Sequence, residues 1–154
     1  MHTHLSNRFS AILFLAIAIP VISFSQNQKE IKQQNIKSKI TWKSLKDSPE
    51  KMYKAEEIQY NQNGDETEIS EFDETGNLKR KETYLYNPDG KLMEEKRMNA
   101  KGQQSKKRTY NYNDKGDRTG YMEFDANGKL KETRVIDYDG KGMKVKRTDR
   151  DTKG

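Results

Sequence analysis

The chain has 154 residues, a formal charge of +6 and no cysteine; 35% of its residues are charged and 31% hydrophobic. Fifteen hydrophobic residues fall in the first 25 positions, and beyond them Leu, Ile, Val and Phe together number only 15. That is below the roughly 20% share at which a chain usually builds a thick core, so a compact enzyme domain is not expected. The lack of cysteine excludes disulfide staples and thiolate metal sites.

Met1 to Ser25 reads as an export signal. A polar stretch with Arg8 and no acid precedes an apolar run from Phe9 to Phe24, interrupted by Ser10, Pro20 and Ser23. The run is short for a bilayer span of about 20 residues. Ser23 and Ser25 supply small residues at the −3 and −1 positions of a cleavage site, and polar Gln26, Asn27 and Gln28 follow. This is the layout of a secretory signal peptide over 1–25; no stable membrane span remains after cleavage. Without cysteine there is no lipid attachment, so the chain is expected as an exported protein and not a lipoprotein. His2 and His4 are the only histidines, and both lie in the segment to be removed.

Residues 26–45 are expected as a flexible lead, polar and unpatterned from Gln26 to Lys37, with a first strand in Ile36 to Leu45. Ser48-Pro49-Glu50 sits where a degenerate turn would fall, and Lys51 to Tyr60 follows as a strand.

From residue 60 one pattern recurs: a large apolar residue, Asn or Asp, two free positions, then Gly. It appears as Tyr60 to Gly64, Phe72 to Gly76, Tyr86 to Gly90, Met98 to Gly102, Tyr112 to Gly116, Phe124 to Gly128 and Tyr138 to Gly142. The starts are spaced by 12, 14, 12, 14, 12 and 14 residues, so the period is 26 with two turns in each. Fixed-period self-similarity marks a repeat architecture. Asn87-Pro88-Asp89-Gly90 explains the pattern chemically. Asn bonds the backbone ahead, Pro presets φ, and Gly accepts positive φ. This is the three-residue hairpin loop with a bulge.

Hairpin register then places Tyr86 opposite Leu92, Phe72 opposite Leu78, Phe124 opposite Leu130 and Leu92 opposite Tyr110. Gly120 is expected opposite Tyr110, whose ring would cover it. Glu95, Lys107, Glu123 and Lys131 are expected in one row of alternating sign, with Lys96 facing Lys106. Arg80, Glu82, Glu94, Lys106 and Arg108 leave both faces polar at mid-strand, unlike a sheet buried on one side. The fold class expected is all-β: an antiparallel hairpin meander after the signal peptide, a single-layer repeat sheet that strand twist can curl. The repeat domain is expected over 46–148, with a frayed tail at 149–154 and fraying beginning after Val145.

Tyr84-Leu85-Tyr86-Asn87-Pro88-Asp89-Gly90-Lys91-Leu92 and Tyr110-Asn111-Tyr112-Asn113-Asp114-Lys115-Gly116 resemble the YD repeat of the RHS family, Tyr-x-Tyr-Asp-x-x-Gly followed by a basic residue and Leu. Ile136-Asp137-Tyr138-Asp139 and Phe124-Asp125-Ala126-Asn127-Gly128-Lys129-Leu130 fit as well, so the resemblance covers about residues 58–145. It implies an exported or cell-surface protein with a curling β-sheet, and carbohydrate binding is proposed for some members.

Catalysis by acid and base needs converging groups with shifted pKa values. Here the carboxylates have basic neighbours, adjacent Glu94 and Glu95 point to opposite faces, and no enzyme or cofactor is expected. Asp125-Ala126-Asn127-Gly128 looks like part of a calcium loop, but counting from Glu123 puts Arg134 where the bidentate Glu belongs. These are turn residues, and no metal is expected. Lys106-Lys107-Arg108-Thr109-Tyr110 has the interleaving of a phosphate and base binder, yet export and opposed Glu rows argue against nucleic acid. The expected role is a non-catalytic binding or structural module at the cell envelope or surface, contacting a glycan or a protein. Tyr84, Arg108, Tyr110 and Tyr121 form the candidate ligand surface. The alternative is a charge-driven binder of an anionic polymer, and more remotely an enzyme of unknown type.

Overall fold

A computed structural model of the chain describes residues 24–152. The segment expected as an export signal lies outside the described residues except for Phe24 and Ser25. The described chain is a helix, α1 (Phe24–Gln33), followed by nine strands: β1 (Ser38–Leu45), β2 (Ser48–Tyr60), β3 (Glu66–Phe72), β4 (Leu78–Tyr86), β5 (Leu92–Asn99), β6 (Gln104–Tyr112), β7 (Arg118–Asp125), β8 (Leu130–Tyr138) and β9 (Lys144–Asp151). The strands form one open antiparallel sheet in sequence order. An all-β meander is therefore what the turn periodicity builds. Little of it is buried: Ile31, Ala55, Ile58, Tyr110 and Tyr121 are the buried apolar residues among those described.

The turns follow the chemistry read from the sequence. In the hairpin between β4 and β5, the Gly90 N–H bonds the Asn87 carbonyl at 2.9 Å, and the Asn87 N–H bonds the Lys91 carbonyl at 2.9 Å. Gly90 has φ of +76°, a conformation that costs roughly 1–2 kcal/mol for residues bearing a Cβ. The Asn or Asp side chain stitches the loop; Asp139 Oδ1 accepts the N–H of Lys141 and of Met143.

Beside each turn the pairs are as expected: Phe72 with Leu78, Tyr86 with Leu92, Phe124 with Leu130. One step further in, the register slips. Tyr86 pairs with Leu92, but Leu85 pairs with Glu94, so Met93 is an extra residue in β5. The same slip makes Thr67, Lys79, Ser105, Thr119, Lys131 and Val145 extra in their strands. Such bulges bend the strand and increase its twist.

This second bulge corrects the expected mid-strand register by one residue. Gly120 faces Asn111, not Tyr110. A Cβ on Gly120 would collide with the Arg134 carbonyl oxygen, so glycine there admits the β8 backbone rather than sheltering beneath a ring. Lys96 faces Lys107 instead of Lys106, and the β5–β6 pairs stop at Glu94 and Thr109, before Leu92. The charged row is Glu95, Arg108, Glu123 and Glu132. It does not contain Lys107 or Lys131, and its sign alternation ends at Glu132.

The two turn rims differ. The Phe72, Met98 and Phe124 hairpins share one rim; the Tyr60, Tyr86, Tyr112 and Tyr138 hairpins share the other. Strands arriving at the tyrosine rim overshoot the preceding strand: the β3–β4 pairs end at Glu68 and Thr83, well short of Tyr86. The tyrosine hydroxyl closes the gap. Tyr86 donates to the Glu66 carbonyl at 3.0 Å, Tyr112 to the Leu92 carbonyl at 2.8 Å and Tyr138 to the Arg118 carbonyl at 2.9 Å. At Met98 and Phe124 the ladder runs to the rim, opposite Lys81 and Lys107, and leaves no such gap.

Both ends depart from expectation. The lead is not unpatterned: α1 covers much of it, built from the good helix formers Gln, Lys and Glu. It closes on Asn35, whose φ is 51°. The Ile36 N–H bonds the Ile31 carbonyl and the Asn35 N–H bonds the Lys32 carbonyl, the hydrogen bonds of a left-handed helix stop. Ile31 is buried, and Gln28 donates to Asp65 at 2.5 Å. The turn expected at Ser48-Pro49-Glu50 is instead at Lys46-Asp47, because Leu45 pairs directly with Ser48 and the Pro lies inside β2. Where a frayed tail is expected, the structure has a strand. β9 stays paired with β8 as far as Asp151 opposite Glu132, anchored by the Arg134 guanidinium on Asp149 at 2.6 Å.

Candidate binding surface

The in-register rows bring all four residues of the candidate ligand surface to one face. Tyr84 pairs with Glu95 and Glu95 with Arg108, while Tyr110 pairs with Tyr121. Two of the four are not available as a surface. Tyr110 and Tyr121 are 6% and 7% exposed. Their rings meet edge to face with centroids 6.3 Å apart. Arg108 and Arg134 both stack on Tyr121, at 4.5 and 4.8 Å from its centroid, and Arg118 lies 5.4 Å from that of Tyr110. Guanidinium planes favour aromatic faces, so these rings are engaged within the protein.

The hydroxyls are engaged too. Tyr84 donates to Glu82 at 2.6 Å, Tyr110 to Glu95 at 2.8 Å and Tyr121 to Glu132 at 2.6 Å. Burial opposes ionisation of Glu82, but the Tyr84 hydrogen bond and the charges of Arg97 and Arg80 outweigh it and hold this carboxyl below its usual range. Glu123 behaves alike: burial is overcome by Lys106 at 2.8 Å and Arg108 at 2.5 Å. On the opposite face Glu94 lies 2.7 Å from both Lys96 and Lys107, and its carboxyl is lowered by the hydrogen bonds they donate. That is how the sheet tolerates two lysines side by side.

Two places escape this self-neutralisation. One is a cleft of about 300 Å³ under α1, lined by Ile31, Tyr60, Glu66 and Tyr86 among others. There burial, followed by the charge of Glu56, raises the Glu66 carboxyl. Burial, then Asp65 and Glu66, pushes the Tyr86 phenol up to about 12. The other is the β1 margin, where Ile40, Trp42 and Met52 are exposed and include the lone Trp; Leu85, Val135, Met143 and Val145 are exposed elsewhere on the sheet. Sequence reading placed Trp42 in a strand without separating it from the tyrosines. The lone Trp in a segment lacking acids was the available signal. Among the described residues no cluster of three or more His, Cys, Asp or Glu side chains could hold a metal ion. No helix there is long and apolar enough to cross a membrane.

No protein-family model matches the chain, and no curated protein is similar to it in sequence.

Proposed function

We propose that the chain is an exported, non-catalytic repeat module that presents a contact surface for a glycan or a protein of the cell envelope or cell surface. The observation that carries this reading is the contrast between the paired faces of the sheet and the uncovered margin of β1. Carboxylates such as Glu82, Glu94 and Glu123 are tied to cations, which deprives them of the freedom that acid–base chemistry needs. Trp42 and Ile40, by contrast, stand exposed, and buried aromatic or aliphatic anchors supply much of the energy at contact surfaces. The signal-like segment Met1 to Ser25 supports export, and the doublets around Tyr86 and Tyr112 support kinship with surface YD-repeat proteins.

The test is a glycan array together with a pull-down from envelope extract, using the purified chain. Retention of a defined glycan or protein, lost in a Trp42→Ala variant, is the expected result. Blank outcomes in both assays at high protein concentration overturn the reading. Binding to heparin or DNA that falls steeply with salt would favour the anionic-polymer alternative instead.

A further inference from the structure

We propose that the free edge of β1 accepts an extended, acidic strand of a partner protein, which joins the sheet as an added strand. This names the partner class for the contact function proposed above and rests on that reading.

The argument begins with the two edges of the open sheet. A sheet edge carries a row of unpaired backbone donors and acceptors and is a template for another strand. Among the described residues, no strand pairs with the outer side of β1 or of β9. The two edges are not equally inviting. β9, Lys144-Val145-Lys146-Arg147-Thr148-Asp149-Arg150-Asp151, presents charge on both of its faces and carries a bulge at Val145. Mixed charge and a bulge are how edges are made unreceptive.

β1 is built differently. Ser38-Lys39-Ile40-Thr41-Trp42-Lys43-Ser44-Leu45 contains no acid, and where its register with β2 shifts, at Thr41/Trp42 and Ser44/Leu45, the extra residues lie in β2. Successive strand residues point to opposite sides, so Lys39, Thr41 and Lys43 share one face while Ile40, Trp42 and Ser44 share the other. Thr41 pairs with Glu56 and bonds it at 3.3 Å. Lys39 and Lys43 are exposed and take part in no ion pair among the described residues. A strand seated against this edge meets two ammonium groups on one side and an indole with an isoleucine on the other.

Recognition by strand addition draws affinity from main-chain hydrogen bonds and specificity from alternate side chains. The complement of β1 is therefore an extended segment alternating carboxylates with apolar residues. Charge also decides against a second copy of this chain. The only charges on β1 are Lys39 and Lys43, and β9 is net basic, with Lys144, Lys146, Arg147 and Arg150 against Asp149 and Asp151, so net charge disfavours either edge of another copy.

The test uses the purified chain and two synthetic octapeptides, one alternating glutamate with valine and one alternating lysine with valine. The glutamate peptide should bind and slow hydrogen exchange in β1 but not in β9. The double variant Lys39→Glu, Lys43→Glu should lose binding at least tenfold and gain binding of the lysine peptide, a gain that also certifies its fold. Trp42→Ala should weaken the glutamate peptide without reversing the preference, and Lys144→Glu with Lys146→Glu should leave it unchanged. No binding of the glutamate peptide, protection appearing in β9, or equal binding by the charge-reversed variant overturns the proposal. So does self-association through β1 in place of peptide binding. If the envelope pull-down retains a partner that the charge-reversed variant still holds, the contact function stands and the edge assignment falls.

Discussion

The hydroxyl of Tyr112 is bonded to the carbonyl oxygen of Leu92 at 2.8 Å, across a gap where the β5–β6 ladder has already stopped. The Phe124 rim has no such gap, because Lys107 pairs with Phe124. Replacing Tyr112 with Phe should leave the Leu92 carbonyl without that donor and cost about 1 kcal/mol, read as a lower urea midpoint with unchanged slope. Tyr86→Phe should cost a similar amount, and because Leu92 both pairs with Tyr86 and accepts from Tyr112 the two losses should couple in a double-mutant cycle. Phe124→Tyr should bring no gain.

The turn glycines are not equivalent. Gly76 has φ of +85°, and nothing lies within 4 Å of the point a Cβ there would occupy, so Gly76→Ala should cost only the conformational strain, about 1–2 kcal/mol. At Gly64 a Cβ would also lie 2.7 Å from the Gln28 carbonyl oxygen. Gly64→Ala should therefore add the detachment of α1, seen as faster proteolysis between Gln28 and Lys32. Gly120→Ala should be the most damaging of the three, because the obstruction is the backbone of β8; thermal unfolding of the three variants ranks them.

Acid should loosen the sheet. The carboxyls of Glu82, Glu94 and Glu123 are held below their ordinary values in the folded chain. A depressed carboxylate contributes stability that is fully present above its unfolded pKa, about 4.3, and is lost as pH falls through the folded value. The melting temperature should hold from neutral pH to about pH 5 and then decline. Glu82→Gln should lower the plateau and flatten the decline, as a pH series of thermal melts will report.

Alkali acts through the rim. Burial, then the charges of Asp65 and Glu66, pushes the Tyr86 phenol up to about 12, against an ordinary phenol near 10. A raised pKa stabilises the fold below the unfolded value, and that stability disappears as pH climbs through the folded one. Phenolate absorbance should include a late component that shrinks but persists in Tyr86→Phe, since burial raises Tyr84, Tyr110, Tyr112 and Tyr121 as well, and unfolding should set in between about pH 10 and 12.

Sequence pattern exposed the turns because Gly at positive φ and Asn or Asp ahead of it are local necessities. Strand count and the pairs nearest each turn followed from that. The interior register did not, because the slip after Leu78 or Leu92 has no residue signature: Lys79, Met93, Ser105 and Val145 share no chemistry. The helix was obscured by a polar composition with one apolar anchor, Ile31, though Asn35 marked its end. Sequence reading named Tyr84, Arg108, Tyr110 and Tyr121 as a candidate surface, but its register set Gly120 opposite Tyr110 and so turned Tyr121 to the other face; the bulge at Thr119 brings it opposite Tyr110. The sequence could not convey that Arg108 and Arg134 lie against the Tyr121 ring, since Arg134 arrives from the next strand at a register set by the bulge.

Each strand touches only its two neighbours, and energies in such arrays are close to a sum over adjacent units. The chain can accordingly be edited in whole periods. Excising residues 87–112 joins Tyr86 to Asn113 and re-creates an intact Tyr-Asn-Asp-Lys-Gly corner. Such a shortened protein should still melt cooperatively, with both margins of the ribbon unaltered. Reach, meaning how far apart those margins stand, is then a quantity that duplication or loss of a gene segment can dial without redesigning any contact.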